Sequence, residues 1–506
     1  MIGNGKRGSY AAVSVFSLIL LSTLIGCAHQ APRPDPVLGG RIDTILHRQD
    51  DKSPGLKYGA RIVDLNTGRE LYLHDPDEPL LPASNGKLAV GATALDLFGP
   101  SHTFKTYLAR DGYDLWIIGT GNPATGDPKL AAAKGESTTT ILQQWTDALK
   151  QQNISRIKGN IYYYDGAFEA TQIHPTWSKD FAGDWYAAPV GGLNFNDNCI
   201  DVLVTPVGEG KPVRWSITPP TRTIKIINNC VGAKGKSAPK ADISRQPDAN
   251  VFTLKGAATQ PTTLPSKAVT DPGLLFADAL RTHLETHGIF VDGKIQRADQ
   301  PLGSSIIPPA DKIIATHETR MSDILARINK DSQNMFADAV YKLSGRETLA
   351  RKKIDAPGSW SNGAIAVRNF LNKNKIDATH YASVDGSGLS RENRVTARVV
   401  SSVLETMYHH RYHQTFFDSM SVAGKDGTLR NRMKEITGHF FGKTGYIGGV
   451  RSLSGYVKTN SGRWLAVSII FNNIEGSVRP VEEMQDDVIR LLVNDKGANA
   501  NIASAN

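Results

Sequence analysis

Hydrophobic and polar residues alternate in several segments near both ends of the chain, as they do in strands that bury one face. Five segments have this alternation: 58–64, 70–74, 439–444, 450–458 and 463–471. The first two flank the turn sequence Asn66-Thr67-Gly68, which is typical of a β-hairpin. Because strand-like segments lie at both ends of the chain, we predict one antiparallel sheet that is built from both.

Helical periodicity is found between and after these strands. Residues 88–98 are apolar at near-helical spacing and end at Gly99-Pro100, which is a helix stop signal. Further helices are predicted near residues 275–288, 321–343, 362–373, 395–408 and 481–493. The pattern therefore predicts an α+β fold, in which helices flank an antiparallel sheet.

The residue pattern changes in the middle of the chain, between the segments that form the predicted sheet. Short β-branched stretches such as 200–206, 213–217 and 224–227 are interrupted there by glycine and proline. We therefore predict that the main domain is discontinuous. The predicted parts are a main domain of residues 36–108 and 306–494, an inserted β-rich region of residues 109–305, and a disordered Asn- and Ala-rich tail of residues 495–506.

The composition of the first 26 residues indicates that the protein is exported. The chain has 506 residues, 40% hydrophobic and 21% charged, which is normal for a globular protein of more than one domain. Residues 1–26 contain Lys6 and Arg7, no acidic residue, and an apolar run over 11–25. Because that run is too short to span a bilayer, it indicates a secretory signal.

The end of this segment, Leu24-Ile25-Gly26-Cys27, resembles the bacterial lipoprotein signal. The resemblance implies cleavage before Cys27, lipid attached to Cys27, and a Pro-rich tether over 27–35. The alternative is a signal peptide that is cut elsewhere, with Cys27 incidental. We expect a periplasmic lipoprotein of the cell envelope, held to a membrane by this anchor.

The charge excludes one class of partner. The formal net charge of +9 becomes +7 without Lys6 and Arg7, and no run of basic residues is long enough for a nucleic-acid arm. An exported protein also does not meet the genome, so we expect no nucleic-acid partner.

Two cysteines, Cys199 and Cys230, remain if Cys27 is lipidated. An even pair in an oxidising compartment predicts a structural disulfide, and closing this loop would stabilise the fold by roughly 3 to 4 kcal/mol. The alternative is two free, buried thiols.

Three short motifs carry the chemistry: Ser84-Asn85-Gly86-Lys87, Ser332-Gln333-Asn334 and Lys443-Thr444-Gly445. Their order is that of enzymes whose serine is acylated by a D-Ala-D-Ala peptide or a β-lactam. S-x-x-K alone is not specific, since it recurs at Ser155 and Ser237. Ser84, however, opens the apolar helix predicted above, which supports the active-site interpretation.

Roles for these residues follow from their spacing. Lys87 lies one helical turn from Ser84, so it can act as general base for the serine nucleophile. Deprotonating an ordinary lysine at pH 7 costs roughly 4 to 5 kcal/mol, so burial and a second cation must lower its pKa. We expect Lys443 to be that cation, to stay charged and to meet the substrate carboxylate.

The other motif residues are predicted to guide the substrate. Ser332 could relay a proton to the leaving amine, and Asn334 could hold a substrate amide. Thr444 supplies a hydroxyl for the carboxylate, and Gly445 leaves room for a peptide along its strand. The backbone N–H groups of Ser84 and Tyr446 would form an oxyanion hole.

Further short segments accompany the three motifs. The set is Leu81-Pro82-Ala83-Ser84-Asn85-Gly86-Lys87, Gly119-Thr120-Gly121-Asn122-Pro123, Asn196-Asp197-Asn198, Ser332-Gln333-Asn334-Met335, Asp385-Gly386-Ser387-Gly388-Leu389-Ser390, Asp426-Gly427-Thr428-Leu429 and Lys443-Thr444-Gly445. It resembles the penicillin-binding protein 4 type of D-alanyl-D-alanine carboxypeptidase and endopeptidase, a class C low-molecular-mass penicillin-binding protein. The resemblance covers nearly all of the chain after the signal sequence.

This resemblance implies a penicillin-binding transpeptidase-like fold with the insertion beside the cleft. It also implies peptidoglycan stem peptides as substrates, β-lactams as inhibitors, and contact of Asp165 with a diaminopimelate amine. Tyr446 departs from the small hydroxyl residue that is usual after K-T-G. The backbone donor survives that change, whereas a side-chain contact with the carboxylate does not.

Two other functions stay open at the level of sequence: a serine β-lactamase, and an inactive lipoprotein that binds peptidoglycan. We expect no cofactor. We also expect no metal, because the His283/His287 and His409/His413 pairs have no obvious third ligand.

Overall fold

The computed structural model describes residues 36–48, 55–235 and 239–496. The predicted signal sequence, Cys27 and the tether lie outside these residues, as does residue 497 onward of the predicted tail. In the part of the chain that is described, no helix is long and apolar enough to cross a bilayer.

The helices of the described residues, in chain order, are α1 (Pro36–Leu46), α2 (Lys87–Phe98), α3 (Pro128–Ala133), α4 (Thr140–Gln151), α5 (Pro272–Thr286), α6 (Met321–Asn329), α7 (Asn334–Ala350), α8 (Trp360–Lys373), α9 (Ala397–Tyr408), α10 (His413–Asp418) and α11 (Arg479–Val493).

The strands are β1 (Lys57–Asp64), β2 (Glu70–His74), β3 (Thr103–Asp111), β4 (Asp114–Gly119), β5 (Arg156–Ile157), β6 (Ile161–Tyr164), β7 (Cys199–Thr205), β8 (Arg214–Thr218), β9 (Lys225–Asn228), β10 (Val231–Gly232), β11 (Asp242–Arg245), β12 (Val251–Lys255), β13 (Ala257–Ala258), β14 (Thr262–Thr263), β15 (Lys267–Ala268), β16 (Phe290–Val291), β17 (Ile295–Arg297), β18 (Ile313–Arg320), β19 (Ser421–Val422), β20 (Phe440–Ile447), β21 (Val450–Lys458) and β22 (Trp464–Asn472).

The main sheet joins the two ends of the chain. Its order is β19-β20-β21-β22-β1-β2, and every neighbouring pair is antiparallel. Strand β1 pairs with β22 along its whole length, from Lys57 opposite Asn472 to Asp64 opposite Leu465. The prediction of one antiparallel sheet built from both ends, flanked by helices, is confirmed.

Both faces of this sheet are buried. On one face α1 and α11 pack on the strands, with Ile42 and Val488 fully buried. On the other face α2 and α6 to α9 form a second hydrophobic cluster. Helix α2 lies inside this layer: every residue from Lys87 to Leu95 is buried, which is why its sequence is apolar on all sides.

The inserted region has its own sheets. The largest has the order β17-β6-β4-β3-β18. Strand β3 lies at the predicted start of the insertion, and β18 lies just after its predicted end. The division into domains made from the sequence stays a prediction. Because β3 and β18 pair with each other, we propose that the boundaries lie near residues 102 and 321 rather than 108 and 306.

The predicted disulfide is wrong, because Cys199 and Cys230 are both free and buried. Cys199 begins β7 and packs with Ala188 and Ala268, whereas Cys230 packs with Ile200 and the other residues on the opposite face of that strand. Side chains alternate between the faces of a strand, so the two thiols lie on different sides of β7. Burial raises the pKa of both thiols, which keeps them protonated and unreactive.

We therefore expect a reducing agent to leave the melting temperature unchanged. A disulfide across this loop would contribute roughly 3 to 4 kcal/mol, and its reduction would lower the melting temperature by several degrees. The Cys230→Ala variant cannot form the bridge, so its response to the reductant gives the baseline. A reductant effect in the wild type that Cys230→Ala lacks would contradict the free thiols.

Candidate active site

Ser84 lies in a tight turn at the base of the central helix. A single 3₁₀ turn, Ala83–Gly86, leads directly into α2. Ala83 has φ of +47°, in the left-handed region that alanine seldom adopts. Strain of this kind is common at functional sites, because the surrounding structure holds a reactive group in one position.

Lys87 is fully buried one turn after Ser84. Its Nζ donates to Ser84 Oγ at 2.8 Å, to Asn334 Oδ1 at 2.6 Å and to the Ser387 carbonyl at 2.6 Å. These three bonds use all three protons of an ammonium group. The lysine therefore has one defined position, against the hydroxyl of Ser84.

The second motif lies in the short non-helical segment between α6 and α7. The sequence predicted one helix over residues 321–343, but α6 ends at Asn329 and α7 begins at Asn334. Between them Ser332 has φ of +59°. Asn334 accepts from Lys87 and donates through Nδ2 to the Tyr186 carbonyl at 2.7 Å, so the insertion contacts this motif.

Ion pairs hold both sides of this break. Arg327 is nearly buried and bonds to Asp127, Asp331 and Asp197 at 2.9, 2.9 and 3.0 Å. Asp197 also accepts from Gln333 Nε2 at 2.9 Å. Asp331 and Gln333 flank Ser332, so these contacts fix the backbone that carries its hydroxyl.

The third motif lies on β20, beside the serine turn. Lys443 Nζ donates to Ser332 Oγ at 2.8 Å and to the Thr444 carbonyl at 2.7 Å. Thr444 Oγ1 donates to Thr428 Oγ1 at 2.8 Å. A Cβ at Gly445 would overlap the Ser452 hydroxyl and lie 3.1 Å from the Ser84 nitrogen. Glycine therefore lets β20 lie directly against the serine turn.

The structure thus brings the predicted motif residues together. Hydrogen bonds join Ser84, Lys87 and Asn334 in one group, and Ser332 and Lys443 in a second. The roles assigned to these residues stay predictions.

Burial sets the electrostatics of the two lysines. It lowers the pKa of Lys87 to about 8, while the charges of Asp338 and Asp385 act in the opposite direction. Burial, and then the charge of Lys87, lowers the pKa of Lys443 well below its usual value. From the sequence, only Lys87 was expected to approach the neutral form. In the structure both lysines are destabilised as cations, and the charged state of Lys443 stays a prediction.

Two buried carboxylates behind Lys87 were not predicted from the sequence to support the site. Asp385 accepts from Trp177 Nε1 at 2.8 Å, Gly388 N at 2.8 Å and Ser390 N at 2.7 Å. Asp338 lies one turn after Asn334 on α7 and is fully buried. The signal for Asp385 was its place in the Asp385–Ser390 motif, and the signal for Asp338 was an acidic residue on the buried face of an apolar helix.

Two other predicted site residues lie outside this network of hydrogen bonds. Asp165 is buried, and its carboxylate accepts two hydrogen bonds from Arg297, both 2.9 Å, and one from Gln172 at 3.0 Å. Binding of a substrate amine by Asp165 stays a prediction, and any such amine would compete with Arg297. Tyr446 is 64% exposed, and its ring stacks on the Arg451 guanidinium at 3.6 Å.

No metal site accompanies these groups. Over residues 36–48, 55–235 and 239–496, no group of three or more His, Cys, Asp or Glu side chains could hold a metal ion.

Comparison with known proteins gives the family. The model of the D-Ala-D-Ala carboxypeptidase 3 (S13) family matches residues 40–492. The chain belongs to the S13 family. The resemblance drawn from the motifs is therefore confirmed, and the S13 family consists of serine peptidases.

Two relatives match most of the length of this S13 protein. It is 30% identical to the D-alanyl-D-alanine carboxypeptidase of Actinomadura sp. (strain R39), over 93% of this chain and 88% of that protein. It is 25% identical to D-alanyl-D-alanine carboxypeptidase DacB of Haemophilus influenzae, over 81% of this chain and 84% of the relative.

A solved structure supports the fold. Penicillin-binding protein 4 from Haemophilus influenzae matches with a TM-score of 0.73 and 21% identity, covering 90% of this chain and 99% of that chain. The same protein complexed with a β-lactam matches with a TM-score of 0.68 and 22% identity, over 90% and 100% of the two chains. The predicted penicillin-binding fold is confirmed.

Proposed function

We propose that this S13 protein hydrolyses D-Ala-D-Ala termini, D-Ala-meso-diaminopimelate cross-links, or both, in peptidoglycan stem peptides. An acyl-enzyme on Ser84 is the intermediate, and β-lactams inhibit the protein by forming a stable version of it. The observation that carries the proposal is the position of the buried Lys87 Nζ, which lies 2.8 Å from Ser84 Oγ and 2.6 Å from Asn334 Oδ1 of the second motif.

The acylation step follows from this arrangement. Ser84 Oγ attacks the carbonyl carbon of the penultimate D-Ala, and its proton passes to the neutral amine of Lys87. The carbon–nitrogen bond then breaks, and the leaving amine takes a proton through Ser332 Oγ. In support, Ser332 Oγ is 2.8 Å from Lys443 Nζ, a group that can restore the proton. Water then hydrolyses the ester and frees Ser84.

Three features would stabilise the substrate and the developing oxyanion. The backbone N–H groups of Ser84 and Tyr446 are the proposed oxyanion donors, each typically worth about 3 kcal/mol. The tight fit of Gly445 against Ser84 supports this pairing. Thr444 is proposed to bind the terminal carboxylate, and its hydroxyl already has a partner in Thr428.

We also propose that the protein works in the cell envelope, anchored through lipid on Cys27. This proposal rests on the sequence of residues 1–27, with its basic start, apolar run and terminal cysteine. Mass spectrometry of the mature protein tests it: a diacylglyceryl-modified Cys27 at the first position supports the anchor, and an unmodified mature start elsewhere excludes it.

One experiment separates the proposed function from its alternatives. Wild type and a Ser84→Ala blank are mixed with penicillin and with a pentapeptide that ends in D-Ala-D-Ala, and protein mass and released D-Ala are recorded. A lasting penicilloyl adduct together with D-Ala release supports the DD-peptidase. Rapid penicillin turnover without an adduct indicates a β-lactamase, and no reaction with either compound indicates an inactive binding protein.

A further inference from the structure

A buried carboxylate that belongs to none of the three motifs lies behind Lys87. Asp338 is on α7 and has no exposed surface. Its Oδ1 accepts from the backbone nitrogens of Gly386 at 2.7 Å and Ser387 at 3.1 Å. One aspartate oxygen thus holds two successive peptide units of the 385–390 loop.

These contacts reach Lys87 by two routes. Ser387 donates to Asp338 through its backbone N–H, and its carbonyl, in the next peptide unit, accepts from Lys87 Nζ at 2.6 Å. Asn334, whose Oδ1 accepts from the same Nζ at 2.6 Å, begins the helix that carries Asp338. Asp338 therefore connects two of the three acceptors of Lys87, on the loop and on α7.

The charges around Asp338 come from three elements. Lys87 on α2 and Asp385 in the loop face it, and Lys342 and Tyr341 adjoin it on α7. Asp385 accepts hydrogen bonds from four residues, Trp177, Gly388, Ser390 and Asn393. By contrast, no hydrogen-bond donor among the described residues reaches Asp338 Oδ2. Burial and the charge of Asp385 raise the pKa of Asp338 to about 7, and Lys87 opposes this rise.

We propose that Asp338 is a positioning residue for acylation of Ser84. Its carboxylate holds the Gly386–Ser387 backbone against Lys87, and its negative charge favours the ammonium form of that lysine. The inference rests on the proposed function, since the effect of Asp338 is measured through the rate at which Ser84 is acylated.

The test is the pH dependence of acylation by penicillin in wild type and Asp338→Asn. Acylation needs the neutral amine of Lys87, so its rate rises as the pH passes the pKa of Lys87, with a midpoint near 8. Asparagine keeps the shape and the acceptor oxygen but removes the charge. The pKa of Lys87 then falls, and the midpoint of the rising limb moves to lower pH by about one unit.

A matched control and two further variants of Asp338 complete the test. Asp278 on α5 is also a buried carboxylate that accepts from two successive backbone nitrogens, Arg222 at 2.5 Å and Thr223 at 3.2 Å. Asp278→Asn should leave the midpoint unchanged.

Asp338→Ser removes the same charge with a smaller side chain and replaces Asp338→Asn if that variant does not fold. Asp338→Glu restores the charge and should restore the midpoint.

Equal midpoints in wild type and the charge-free variant overturn the inference, even if the variant is slower. A purely structural role lowers the plateau rate but does not move the midpoint. A wild type that penicillin does not acylate would overturn the proposed function instead, so the two failures can be distinguished.

Discussion

Replacing Lys87 by methionine should abolish acylation of Ser84, with a fall in the acylation rate of at least about 10³-fold. Lys87 is the only titratable side chain that hydrogen-bonds to Ser84 among the described residues. Methionine has similar length but cannot accept a proton. The fall corresponds to roughly 4 kcal/mol in the activation free energy. Stopped-flow acylation by a chromogenic β-lactam at pH 8 measures it.

Lys342 offers a matched control for this substitution. It is also a fully buried lysine whose pKa burial lowers to about 8. Its ammonium group lies 3.3 Å from the centre of the Trp360 ring and donates to the Thr171 carbonyl at 3.0 Å. Lys342→Met should lower the melting temperature but keep acylation within about tenfold of wild type. Equal losses of acylation in the two variants would contradict the role of Lys87 as base.

Replacing Gly388 by alanine should slow acylation by about 10²-fold, because the loop that faces Ser84 has no room for a Cβ. Gly388 has φ of +81°, and a Cβ there would overlap the carbonyl oxygen of Ala83 and lie 3.3 Å from the Ser84 nitrogen. To relieve this overlap, the 385–390 loop must move away from the serine turn. The Ser387 carbonyl then loses its 2.6 Å contact with Lys87.

The backbone conformation alone has a separate cost that needs its own control. Alanine in the left-handed region costs about 1 to 2 kcal/mol wherever it occurs. Gly462 has φ of +85°, and apart from its two chain neighbours no residue has an atom within 4 Å of the site of its Cβ, so Gly462→Ala incurs this cost without an overlap. Gly462→Ala should lose stability but acylate at the wild-type rate. If Gly388→Ala acylates as fast as Gly462→Ala, the close packing of the loop on the serine turn is wrong.

Much of the fold could be predicted because alternation and helical periodicity are local signals. The segments 70–74 and 450–458 match β2 and β21 at both ends, and residues 88–98 match α2 within one residue. These elements have one environment along their length, so local preference and tertiary packing agree.

The interruption of a predicted helix could not be foreseen, because it depends on contacts with residues far away in the sequence. The helix predicted over 321–343 is interrupted at Ser332, whose positive φ is held by Arg327 and by Asp197 of the insertion. No local signal marks this break, since the ion pairs join residues 130 and 200 positions apart. The same limit explains the wrong disulfide, because compartment and spacing do not reveal on which face of β7 each thiol lies.

The motif residues could be predicted from the sequence to lie together, whereas the contacts that support them could not. The spacing and order of the motifs point to Ser84, Lys87, Ser332, Asn334 and Lys443 as site residues, and their roles stay predictions. Asp338 and Asp385 act through the backbone of the 385–390 loop, and such contacts have no fixed spacing from the motifs. Their contribution to the pKa of Lys87 became visible only in the folded arrangement.

We propose that folding brings the three motifs together and makes Ser84, and no other residue, the site of acylation. Peptide mapping of the protein after incubation with penicillin tests it most directly. We predict one penicilloyl adduct, on the peptide that contains Ser84, and none in Lys87→Met. An adduct on Ser332 or on another residue, or no adduct in the wild type, would contradict the account.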